Sequence, residues 1–199
     1  MSSAWVRRAA GFGAGISVLL PALALAHPEG HGAQNAIDGF LHPLTGLDHL
    51  LAMIAVGLWA VHLGRRAVRI LPIVFPVAMV VGALFALGGI ALPAIEPAIA
   101  VSVIVLGVLV AAGVRMPVVA GAALIGVFAV FHGYAHATEG PSANMLAYAI
   151  GFVGATVALH AVGIVAGAWI ARNDLQHSRV VNGLAGTAIA LAGTAILII

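Results

Sequence analysis

Between Ile70 and Leu92 the chain carries no charged side chain, and the stretches Ile37–Val61, Ala94–Val114, Pro117–Ala137, Met145–Ala171 and Val180–Ile199 are nearly as bare. Each is long enough to cross the roughly 30 Å hydrocarbon core of a bilayer, which takes about 20 apolar residues in helical form. A backbone in hydrocarbon must satisfy its own N–H and C=O groups, so such a run is a helix unless it closes a barrel. Only 7% of the 199 residues are charged, against about 25% in a soluble domain. These constraints predict an all-α membrane protein built as one bundle of six transmembrane helices.

The first 26 residues read as a secretory signal. Arg7 and Arg8 form a positive n-region, Ala9–Leu20 an apolar core, and Ala24-Leu25-Ala26 a small-residue cleavage pattern. Cleavage leaves residues 27–199 as a single six-helix domain whose new terminus carries His27 and His31, two imidazoles able to collect a cation. The remaining arginines fall in alternate loops: Arg65, Arg66 and Arg69, then Arg115, then Arg172 and Arg179. The positive-inside rule makes those loops cytoplasmic. Both mature termini then face the periplasm of a bacterial inner (cytoplasmic) membrane, which agrees with a cleaved signal.

Composition also removes whole classes of function. The basic balance rests on eight arginines against six acids, spread between apolar runs, with no basic face and no aromatic–basic interleaving of the kind nucleic acid requires. The absence of cysteine excludes disulfides, thiolate ligands and iron–sulfur clusters. No Walker sequence is present, so this chain does not hydrolyse ATP. The anomaly is nine histidines. Ionisable groups inside a membrane are costly and mark a site or a pathway.

Two clusters carry that anomaly. In the first run, Asp38, His42, Thr45, His49 and Met53 recur at spacings of three and four residues, one stripe on a regular helix. Asp48 lies about 100° from His49 on such a helix, although Pro43 and Gly46 leave room for an opened backbone that brings it round. In the fourth run, His132, His136 and Glu139 form a second stripe. Opposed helix directions place both clusters in the outer half of the membrane. Imidazole and carboxylate together suit a divalent transition metal, and His42, Asp48, His49, His132, His136 and Glu139 are the expected ligands. Asp38, His27, His31 and His160 are weaker candidates, His160 being by itself an ordinary packing histidine. His62 and His177 fall at the cytoplasmic ends. Protons compete for imidazole, so metal binding is expected to weaken as pH falls through roughly 6.5.

The pattern His42-x5-Asp48-His49 and the pattern Phe131-His132-Gly133-x-Ala135-His136-x-x-Glu139 resemble the two signature motifs of the HupE/UreJ family. These are small membrane proteins encoded with hydrogenase or urease accessory factors and regarded as nickel permeases. The resemblance extends over the mature chain, with one departure: Ala137 stands where the family pattern has glycine, which removes no ligand. It implies a secondary transporter importing Ni²⁺ for hydrogenase or urease maturation, not an enzyme, with the metal as cargo and no prosthetic cofactor. Co²⁺ and Zn²⁺ suit the same donors. An intramembrane metal-dependent hydrolase, with Asp48 or Glu139 as general base, is the alternative from another class. The partners expected are the divalent ion and the lipid bilayer, without nucleic acid, and self-association into a homo-oligomer stays open.

Overall fold

The computed structural model describes residues 36–140, 145–172 and 174–199. The expected signal sequence of residues 1–26, with His27 and His31, lies outside the described residues. The chain is all-helical there, in the order α1 (Ala36–Thr45), α2 (Leu47–Leu63), α3 (Arg65–Leu87), α4 (Ile95–Ala111), α5 (Val118–Glu139), α6 (Met145–Ile170) and α7 (Leu175–Ile198).

The first apolar run departs from expectation. In place of one helix over Ile37–Val61 there are two, meeting at Gly46 with a bend of 82°. The Gly46 N–H still donates to the His42 carbonyl at 3.0 Å and the Leu50 N–H to the Gly46 carbonyl at 2.9 Å, so the break is hydrogen-bonded on both sides. Among the described residues, α3, α5, α6 and α7 are long and apolar enough to span a membrane, and the bent pair α1–α2 makes a fifth if counted as one span. The third run gives a shorter helix than expected: α4 has 17 residues, about 26 Å at 1.5 Å per residue.

The exposed and buried faces confirm a protein whose solvent is lipid. On α3, Leu71, Phe75, Met79 and Gly82 point inward, while Ile73, Val77, Val80, Leu84 and Leu87 are exposed on the opposite side. A helix in water would place polar residues there. Here the outward stripe is as apolar as the inward one. The chain is a multi-spanning membrane protein.

Association in lipid depends on close packing of small residues, and paired glycines do this here. A Cβ on Gly133 of α5 would overlap the backbone of Met79 on α3, and one on Gly82 would overlap the backbone of Val130. Gly57 of α2 and Gly163 of α6 meet in the same way, as do Gly107 of α4 and Gly186 of α7. These contacts set the main helix pairs α3–α5, α2–α6 and α4–α7, with α1 laid against the start of α6. Helix α2 is the axis of the bundle. Every residue from Ala55 to Ala60 is buried, and Trp59, fully buried, donates its indole N–H to the Val114 carbonyl at 3.0 Å. Trp169 is exposed and faces outward.

Candidate metal centre

The break at Gly46 is what assembles the site. It turns α1 so that His42, near its end, faces His49 in the first turn of α2, with ring centroids 5.6 Å apart. The single stripe running from Asp38 to Met53 therefore does not exist. Thr45 is exposed and turns its hydroxyl back to the Leu41 and His42 carbonyls, and Met53 is packed into the core.

Helix α5 supplies the other half. The His136 ring lies 4.9 Å from that of His42 and 4.5 Å from that of His49, while His132 lies 5.3 Å from His49. His42, His49 and His136 each offer one ligand atom, and these atoms all lie within 4.8 Å of one another. Two nitrogens on one ion at about 2.1 Å each can be no more than about 4.2 Å apart. Closing the remaining few tenths of an ångström takes only small side-chain rotations. His42 is partly exposed and His49, His132 and His136 are buried, so the cluster opens on the His42 side. The Phe152 ring walls it from α6, 4.1 Å from His136 and 6.0 Å from His42.

The hydrogen bonds around the rings decide which nitrogen faces inward. His49 Nδ1 sits 2.7 Å from Asp48 Oδ1. An ionised carboxylate only accepts, so Nδ1 carries the proton and Nε2 presents a lone pair. His132 Nδ1 donates to the Phe128 carbonyl at 2.9 Å, with the same consequence. Metal-bound histidines are typically oriented in this way by a carboxylate or a backbone carbonyl on the far nitrogen. Asp48 also sits in the first turn of α2, where the partial positive charge of a helix N-terminus favours a carboxylate.

The inward nitrogens have no protein partner. Among the described residues, the buried side-chain nitrogen and oxygen atoms without a hydrogen bond are His49 Nε2, His132 Nε2, both nitrogens of His136 and both of His160. A buried polar group is normally satisfied. All the exceptions here are imidazole nitrogens, and most are in the cluster.

The structure thus brings together His42, His49, His132 and His136, and places Asp48 behind His49. The set of ligand atoms within 4.8 Å holds only His42, His49 and His136; His132 and Asp48 adjoin it through His49, and Asp38, Glu139 and His160 are not in it. Glu139 ends α5 and is exposed, and Asp38 is partly exposed in the first turn of α1. The His160 ring lies 5.3 Å from that of Phe75. His62 is partly buried in the last turn of α2, and His177 is exposed. Phe75 and Phe152, which wall the cluster, carry no signal in the sequence: each is one aromatic in an apolar helix.

The chain is thus a multi-spanning membrane protein with a buried histidine cluster backed by a carboxylate. The profile described as HupE / UreJ protein matches residues 16–196. The chain is also 44% identical over 183 residues to "Protein HupE" of Rhizobium leguminosarum bv. viciae, covering 92% of this chain and 94% of that one. No solved structure matches. The chain belongs to the HupE/UreJ family, membrane permeases implicated in nickel transport for hydrogenase and urease maturation.

Proposed function

We propose that this chain imports Ni²⁺ across the bacterial inner membrane, and that His42, His49, His132 and His136 are the groups that replace its water shell. One observation carries the reading: buried imidazole nitrogens of α2 and α5 lack partners on rings 4.5 and 5.3 Å apart, and the Asp48 carboxylate accepts from His49 Nδ1, which leaves Nε2 to ligate. The ion enters beside the partly exposed His42, is taken by His49 and His136, and passes to His132. Asp48 offsets part of its charge without leaving His49. Glu139, exposed at the end of α5, and His27 and His31 at the expected mature terminus attract the ion outside this set, as does Asp38 in α1.

In this reading the chain crosses the membrane six times after removal of residues 1–26. The bent pair α1–α2 counts as one crossing and the short α4 as another. The arginine-bearing loops are cytoplasmic and both termini periplasmic. Entry of a divalent ion is driven by the membrane potential, worth roughly 4.6 kcal/mol per 100 mV. Imidazole donors also accept Co²⁺ and Zn²⁺, so selectivity among the three is read from competition. Transport needs no covalent step, and the chain acts as a permease rather than an enzyme.

The test is labelled nickel uptake into cells lacking other nickel importers, comparing wild type with His136→Ala at matched membrane expression. Wild-type uptake that His136→Ala abolishes supports the reading. A wild type that accumulates no nickel, cobalt or zinc above empty cells refutes it.

A further inference from the structure

Among the described residues, His160 is the one buried histidine that the cluster leaves over. It sits on α6, 1% exposed, and neither ring nitrogen has a hydrogen-bond partner. Burying two such atoms unpaired is costly, and a leucine would fill the same volume without that cost. Packing therefore does not account for a histidine here.

Its surroundings connect it to the cluster. The Phe75 ring of α3 lies 5.6 Å from His132 and 5.3 Å from His160, measured between centroids. Phe75 is thus the ring the two histidines share. One turn before His160 on the same helix is Thr156, fully buried, whose hydroxyl donates to the Phe152 carbonyl at 2.9 Å. That bond uses the hydroxyl proton and leaves its oxygen lone pairs free. An imidazole and a hydroxyl oxygen one turn apart on one helix face form a small donor pair in an otherwise apolar region.

We propose that His160 is a second metal-binding station beside Phe75, where the ion rests on one imidazole, with water and the Thr156 oxygen completing its shell. This rests on the nickel-transport reading above. The donor sets differ in strength, while the membrane potential sets the direction of travel. Several imidazoles hold the ion at the cluster, while a single imidazole holds it weakly enough to leave. A deep multi-histidine site with nothing beyond it would trap its cargo.

The experiment uses the full chain, purified and reconstituted in lipid vesicles, with Ni²⁺ entry read by a chelating dye inside and Co²⁺ absorption counting bound ions. Wild type is compared with His160→Leu and His160→Gln. Gln keeps hydrogen bonding and solubility at the site, so it carries the test should the leucine variant fold poorly. The expected result is unchanged affinity at the cluster, loss of a second and weaker bound ion, and uptake slowed about tenfold in both variants, the scale on which losing a metal-site partner is felt. Wild-type flux in His160→Leu, or wild-type flux in His160→Gln alone, overturns the proposal: the first makes His160 packing, the second a hydrogen-bonding residue. A wild type that binds and carries no metal overturns the nickel reading along with it.

Discussion

Replacing Asp48 by asparagine keeps the size of the side chain and removes its charge. In the wild type, His49 Nδ1 donates to Asp48 Oδ1 at 2.7 Å, a charge-assisted bond roughly twice as strong as its neutral counterpart. Asparagine can still accept through its carbonyl, but it holds the imidazole less firmly and no longer raises the basicity of Nε2. Loss of such a supporting carboxylate typically costs 10–100-fold in metal affinity, about 1.4–2.8 kcal/mol at 1.4 kcal/mol per decade. Asp48 also faces the N-terminus of α2, where the charge contributes about 0.3–1 kcal/mol to the helix, so thermal stability should fall only slightly. The assay is an equilibrium Ni²⁺ titration of purified protein against a competing chelator, with thermal unfolding recorded in parallel. Affinity within twofold of wild type would refute the orienting role. A loss as large as that of His136→Ala would also refute it, because Asp48 would then be a ligand in its own right.

Other substitutions test the scaffold that positions this site. A Cβ on Gly46 would come within 2.9 Å of His49 Nδ1 and 3.1 Å of Asp48 Oδ1, so Gly46→Ala should weaken Ni²⁺ binding, read by the same titration, with little change in thermal midpoint. Gly133→Ala forces a methyl group into the Met79 backbone and should cost about 1–3 kcal/mol as overpacking, read from thermal unfolding in detergent; an unchanged midpoint would show that α3 and α5 separate without penalty. Trp59→Phe leaves the Val114 carbonyl without its indole donor and should cost about 1–3 kcal/mol, again as a lower midpoint, with metal affinity unchanged.

Much of this protein is set locally and is therefore visible in the sequence. In hydrocarbon a backbone has no partner but itself, so apolar runs become helices whatever their neighbours do. The fourth, fifth and sixth runs begin and end within a few residues of α5, α6 and α7 for that reason. The same economy makes stray histidines conspicuous, and His42, His49, His132 and His136 stand out for their cost alone. Which of them meet is another matter. Periodicity along Ile37–Val61 implies one straight stripe, yet the helix breaks at Gly46 and folds His42 back onto His49. A glycine three residues after a proline permits that break, but only the packing of α1 against α6 and α2 against the rest of the bundle selects it. Spacing likewise joins Glu139 to His132 and His136, but the end of α5 reaches the surface and leaves the carboxylate exposed. Asp48 and His49 are adjacent in sequence and so cannot share a face of a regular helix. Their side chains nevertheless reach one another in the first turn of α2, a contact of neighbours that facing alone does not reveal. Sequence alone determined the medium, the helices and the chemistry available. The tertiary structure decided which donors converge, because that depends on backbones brought close by glycines far apart in the chain.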